Sequence, residues 1–336
     1  MNNYMRNNKL ILFSLTVILI ISILISFALG KYPIEPSQVL GILFSKVLNI
    51  NQFWTDSMET IFFNVRLPRI ILACLVGCCL SAAGSTYQCI FLNPMAAPDI
   101  LGASSGAAFG AAIAIFFYKS GSQITISAFF FSLITVFLVY VISQKTKGNK
   151  VLGLILSGIM VSSLFSSGTS FIKLVADPND QLPAITYWLM GSLSGTKTSD
   201  VKFAIIPMII GIIPLLLISW QVNILTVGED EARTMGINTK LIRFITIICA
   251  TLITSASVAV SGMIGWIGLV IPHLSRKLVG NNFVYLLPTS MIFGAAFLLL
   301  VDNVSRNLWT SEIPIGILTS FIGVPFFIYL ITRRED

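Results

Sequence analysis

Uncharged apolar runs of nearly bilayer-spanning length recur along this chain, and nothing else restricts its fold as strongly. Residues 10–29 carry no charge, nor do residues 70–98. A helix needs ~20 apolar residues to cross the hydrocarbon core of a membrane. Charged residues make up only 10% of the chain, where a soluble domain would carry roughly 25%. The fold class expected is an all-α polytopic membrane protein, a compact bundle of about ten transmembrane helices.

Spans are expected near 10–29, 66–91, 99–117, 124–144, 151–172, 202–221, 240–261, 264–279, 284–303 and 313–332, as one transmembrane domain over 1–336. The main polar breaks are 30–65, 173–201 and 222–239. Arg6 and Lys9 precede the first run, whose end at Ser26-Phe27-Ala28 could pass for a signal peptide. That run exceeds the 7–15 residues of a signal core, so it reads as a retained helix. Basic residues cluster at Lys145, Lys147 and Lys150, at Arg276 and Lys277, and at Arg333 and Arg334. An even number of spans puts both termini on one side, and the basic loops make that side cytoplasmic. The net charge of +7 follows from this loop bias and does not point to nucleic acid.

The five cysteines, Cys74, Cys78, Cys79, Cys89 and Cys249, fall inside expected spans without metal-site spacing or a disulfide framework. Small residues recur at four-residue spacing in Gly77-Ser81-Ser85 and Gly102-Gly106-Gly110. Such rows let helix backbones approach closely in lipid. Gly84, Pro94 and Gly102 are echoed at a constant offset by Gly262, Pro272 and Gly280. Five spans per half would make these inverted five-helix repeats, although the span 264–279 fits that symmetry imperfectly.

Three constellations could carry function. The first is Val227–Asn238, VGEDEARTMGIN. Glu229, Asp230 and Glu231 at its start and Gly236 at its end suit a helix of about two turns. Glu229 and Arg233 form an i,i+4 pair, and Ala232 with Met235 leaves a small apolar face. So short a helix is marginal alone. A solvated loop and a helix held by a partner both remain open here. The second is Asn93–Gly110, NPMAAPDILGASSGAAFG, where Pro94 and Pro98 break the helix and Asp99 caps the glycine-rich span that follows. Within it, Gly102–Gly106 matches G-x-S-x-G, and His273, the one histidine, could be imagined as its base in an intramembrane protease. The strand–turn–helix setting of a nucleophile elbow is missing. The third is basic: Arg66 and Arg69 at the outer start of the second span, and Arg306, four residues after Asp302, at the outer end of the ninth. Interfacial anchors and an outward basic rim for an acidic partner are the two readings. The sequence holds no P-loop and no H-E-x-x-H, and its intramembrane acids are too few for the proton relay of a proton-coupled secondary transporter.

The segments RLPR (66–69), NPMAAPDILGASSGAAFG, YWLMGSLSG (187–195), GEDEARTMGI, GMIGWIGLVIPHLSRKLVG (262–280) and EIPIGILTSFIGVPFFIYLI (312–331) resemble, in order, the permeases of ABC importers for iron–siderophore, haem and cobalamin. The resemblance covers 66–331; residues 50–64 align with nothing. It implies a non-enzymatic transport subunit in the cytoplasmic membrane of a prokaryote. Its partners would be a second permease copy (or close paralogue), two ATPase subunits that use ATP and Mg, and an extracytoplasmic binding protein. This chain itself would bind no cofactor. By the same resemblance, Glu229, Asp230, Glu231, Ala232, Arg233 and Gly236 form the ATPase-coupling segment. Arg66, Arg69 and Arg306 would dock the binding protein, and Asn93, Pro94, Pro98, Gly102 and Pro272 would mark helix breaks near a gate. The cargo implied is a metal chelate, with a ferric siderophore first and haem, cobalamin or molybdate as alternatives.

Overall fold

A computed structural model describes residues 2–45, 51–146 and 150–332. The expected basic positions Lys147, Arg333 and Arg334 lie outside them. The described residues form helices α1 (Asn2–Ala28), α2 (Pro36–Ser45), α3 (Asp56–Ile61), α4 (Leu67–Ile90), α5 (Ala103–Phe116), α6 (Gly121–Gln144), α7 (Lys150–Val175) and α8 (Gln181–Leu189). They continue as α9 (Thr198–Leu217), α10 (Ser219–Leu225), α11 (Glu229–Thr234), α12 (Thr239–Ser261), α13 (Ile267–Val279), α14 (Phe283–Asn307) and α15 (Ile315–Thr332). The chain is an all-helical membrane bundle, and among the described residues seven stretches are long and apolar enough to cross a bilayer.

The interior is built around two helices. In α4 and α12, 72% of the best spanning stretch is buried by protein, against 17% in α1. The buried positions of α4 include an unbroken small-residue run, Ser81-Ala82-Ala83-Gly84-Ser85, together with Ala73 and Gly77, and at such positions neighbouring backbones come close without large side chains between them. The expected small-residue rows are the contact lines: Gly77 and Ser81 face Gly294 of α14, while Gly106 and Gly110 face Thr135, Phe131 and Ser127 of α6.

Three local features differ from expectation. The stretch expected as span 264–279 is helical only over Ile267–Val279. At 1.5 Å per residue that is about 20 Å, short of the ~30 Å core. The backbone before it turns at Gly262 and Trp266, which have φ of 68° and 69°. Pro272, expected at a helix break, lies inside continuous α13. It cannot donate to the carbonyl four residues earlier, and that carbonyl, of Gly268, packs against Gly84 of α4, where a side chain would collide with it. The freed acceptor is thus turned into an interhelical contact. The echoed residues also play unequal parts: Gly84 lies inside α4 while Gly262 ends α12, and Pro94 lies in a loop while Pro272 is helical. What α4 and α12 do share is a buried central position followed by a break and a short helix.

Candidate functional site

The polar segment forms a helix and is rooted in the bundle. In α11 the acids occupy the first turn, where the helix dipole favours them. Gly236, with φ 79°, lets the backbone reverse, and the Ile237 N–H reaches back to the Ala232 carbonyl at 3.0 Å, the closure that glycine permits at a helix end. Ala232 is fully buried among Ile224, Leu225, Ile237 and Ile242. Glu229 receives Arg233 at 2.6 Å and Arg243 of α12 at 3.4 Å, and Thr239 donates to it at 3.3 Å. Partial burial pushes its carboxyl up, but Arg243 and Arg233 outweigh that and hold it below the usual value of 4.5. The tip is bare: the Asp230 side chain is 95% exposed, and Val227 and Met235 stand in solvent.

The break between α4 and α5 is compact. Leu92 takes φ 48°, and the Asn93 side-chain oxygen accepts from the Met95 N–H at 2.9 Å. Pro98 opens a short 3-10 turn, Pro98–Leu101, and packs on Gly268 of α13. Gly102 follows with φ 78° against Ser162 of α7, and a carboxyl oxygen of Asp99 caps α5 by accepting from the Ser104 N–H at 2.9 Å. Asn93, Pro94, Pro98 and Gly102 therefore form one turn that joins α4 to α13 and α7. Pro272 reaches the same region through the Gly268 carbonyl. Ser104 lies in the first turn of α5, and the His273 ring packs edge-on against Phe326; no strand occurs among the described residues, so a nucleophile elbow has no support.

At the opposite end of the bundle, Arg66, Arg69 and Arg306 were expected as an exposed rim. The structure brings all three together but buries them, at 4%, 7% and 7% exposure. Arg69 grips fully buried Asp302 at 2.9 Å and Glu312 at 2.9 Å. Arg306 lies 3.4 Å from the other Asp302 oxygen and donates to Asn303 and to the Ser26 carbonyl. Arg66 closes a five-residue π-turn, Phe62–Arg66, a distortion common at functional positions. It donates to the carbonyl of Phe27, one of the last-turn carbonyls of α1 that the helix itself leaves unpaired, and to that of Tyr32 in the loop beyond. Burial raises the Glu312 carboxyl, but the Arg69 contact and Lys31 prevail and hold it below 4.5. Glu312, Asn303 and Ser26 were not singled out from sequence, because their partners lie up to 280 positions away.

Beside this end, α15 and the 262–266 turn flank an open cavity of about 700 Å³, lined by Met190, Met263, Ile317, Ser320, Phe321 and Val324 among others, with no charged side chain.

The model of the FecCD transport family matches residues 18–333. The molybdate import system permease protein MolB of Haemophilus influenzae is 41% identical over 97% of this chain and 96% of its own length. A probable iron chelatin transport system permease protein of Helicobacter pylori is 42% identical over 83% of this chain and 85% of its own. A solved "metal-chelate type ABC transporter" in an inward-facing conformation shares the fold, with TM-score 0.86 and 40% identity over 96% of this chain and 99% of that one.

Proposed function

We propose a function from one premise: this chain belongs to the FecCD transport family, and so is a membrane-spanning permease subunit of an ATP-driven importer and not an enzyme. Its cargo class is a metal chelate. Within that class our reading is a ferric siderophore, carried by two permease copies, powered by two ATPase subunits on the cytoplasmic side and supplied by an extracytoplasmic binding protein. Both termini lie in the cytoplasm.

The observation that carries the reading is α11. A six-residue polar helix has no reason to persist in water. Here Ala232 and the Glu229–Arg243 contact anchor it to α12, and Asp230 and Glu231 remain exposed. This suits an element that enters a cleft on the ATPase and passes its motion to α12. The Asn93–Gly102 turn, packed on α13 and α7, is the gate element on the same side. The arginine end faces outward. Its cations, Lys31 included, outnumber Asp302 and Glu312, which leaves a positive surplus for an acidic binding protein, although the guanidinium groups themselves lie beneath the surface.

The uncharged cavity beside α15 favours a chelate whose metal is wrapped in organic ligand, because a bare dianion finds no donor cluster there to replace its water. Near-equal identity to permeases named for molybdate and for an iron chelatin keeps molybdate as the second reading. The test is co-expression with the neighbouring ATPase and binding protein, followed by proteoliposome uptake of a ferric hydroxamate and, separately, of molybdate. ATP-dependent iron uptake is expected. Uptake of molybdate alone replaces the cargo, and failure to assemble with an ATPase defeats the importer reading.

A further inference from the structure

Among the described residues, three non-glycine residues have positive φ: Leu92, Tyr118 and Trp266. Leu92 and Tyr118 directly follow helices, and the next N–H after each reaches back to Gln88 and Ala114, as helix endings do. Trp266 is different. It precedes α13, with φ 69° and ψ −32°, and the Ile267 N–H donates across it to the Gly265 carbonyl at 2.9 Å. That two-residue span is a classic γ-turn, a rare and strained conformation, and an indole-bearing residue is poorly suited to it. Such a residue persists only where its surroundings hold it.

The surroundings are uneven. On one side, the start of α13 is set backbone to backbone on α4 at Gly84 and Gly268, with Pro98 wedged beside them. On the other side, Trp266 meets α15 directly. A Cβ on Gly323 would stand 2.5 Å from the Trp266 Cβ, and the Phe327 ring lies edge-on at 6.0 Å. The segment ahead of the turn is laced to the outer end of α15 through Gly191, whose carbonyl accepts from the Ile315 N–H at 2.9 Å, while the Ser192 N–H donates to Ser261 at 2.8 Å. Gly265 and Met263 of the same turn line the uncharged cavity, opposite Ser320 and Phe321 of α15.

We propose that Trp266 is a latch of the outer gate: its γ-turn is held strained by contact with Gly323, and it relaxes when α15 swings from α13 to admit cargo. The strain favours opening and the aromatic contact favours closure, which places the two arrangements close in free energy. Trp266 is a positioning residue, acting through α15. The proposal rests on the importer reading but fails separately from it.

The test uses the full complex with its ATPase and binding protein in proteoliposomes, with ATP hydrolysis as the readout. Trp266→Cys combined with Gly323→Cys sets two Cβ positions 2.5 Å apart, so a shift of about 1 Å between α15 and the turn brings them to the ~3.8 Å Cβ separation of a disulfide. Oxidation is expected to lower hydrolysis by about tenfold or more, within the range of coupling between linked sites, and reduction to restore it. A fully cross-linked complex that hydrolyses ATP at the wild-type rate overturns the latch, and so does a pair that will not cross-link. Single variants guard against a folding failure. Trp266→Phe should keep wild-type hydrolysis, while Trp266→Gly, which suits the positive φ but removes the wedge, should raise it without raising uptake. If Trp266→Gly lowers hydrolysis and melting temperature together, Trp266 is ordinary packing. A wild-type complex that never assembles with an ATPase defeats the importer reading instead.

Discussion

Asp302 and Asp230 carry the same carboxylate, yet one is sealed within one end of the bundle, outward in our reading, and the other stands 95% exposed at the opposite, inner end. Asp302 serves Arg69 and Arg306 at once, and its loss would leave Arg69 with Glu312 alone and Arg306 with no carboxylate in contact. Asp230 has only a 3.8 Å approach to Arg233. Charge at the outer end ties α4, α14 and the loop before α15 into one block. Charge at the inner end is held out for something else to grip. Burial, and not residue type, therefore separates a structural ion cluster from charge left free for a partner.

The contrast can be broken most directly at Asp302. Asp302→Ala should cost about 3–5 kcal/mol, since removing one partner of a buried pair leaves uncompensated charge. Thermal unfolding of the purified protein should show it, with Asp302→Asn milder. A melting temperature close to wild type would mean that water reaches these arginines and that the outer end is as open as the inner one.

Next in size is the reverse pattern at α11. Replacing Glu229, Asp230 and Glu231 with alanine should leave melting nearly unchanged, because exposed pairs contribute only ~0–1 kcal/mol each. ATPase binding should nevertheless weaken by about 2 kcal/mol or more, roughly thirtyfold, as expected of a central contact. Titration of the permease with the ATPase measures this, and normal affinity would reduce α11 to a loop.

A smaller effect separates surface from buried cations at the outer end. Lys31, exposed and donating to the Thr310 carbonyl at 2.6 Å, can be reversed without opening the cluster. Lys31→Glu should slow binding-protein association at low salt, and the effect should fade as salt rises. Arg306→Glu should instead lower stability. If the two variants behave alike, the arginines are on the surface after all.

The smallest effect is that of pH. Glu229 and Glu312 are both held below 4.5 by facing arginines. A carboxyl lowered in the folded state stabilises at pH above its unfolded value, and that contribution is lost as pH falls through the lowered value. Melting temperature should therefore be insensitive to these two groups from pH 7 to 5 and decline only below about 4.5.

The helices were legible because long apolar runs leave lipid-facing chains few options, and the glycine rows already marked the contact lines along Gly77 and Gly106. The caps of the segment at 229–234 suited a helix but left a solvated loop equally open, because what decides it, the burial of Ala232 against Ile224, Leu225 and Ile242, is tertiary. Burial of the arginines was not. Asp302 lies one turn from Arg306 and could be read locally, but Glu312 is 243 positions from Arg69, and no local pattern joins them. The γ-turn at Trp266 was equally hidden. Its only trace is the close spacing of Gly262, Gly265 and Gly268, a sign of tight backbone approach but not of a strained tryptophan between them.

The seat of α1 has a consequence for how the protein is made. Its outer end is fastened by Asn303 and Arg306 of α14 and by Arg66. The ribosome finishes α1 at Ala28 and reaches α14 only at Phe283. At ~5–20 residues per second, α1 waits roughly 13–50 s for its principal neighbour. Its spanning stretch has a mean hydropathy of 2.9, so lipid alone can hold it during that interval. The first helix inserted thus joins the bundle among the last, and a defect at Asn303 should surface as an early helix left unassembled in newly made protein.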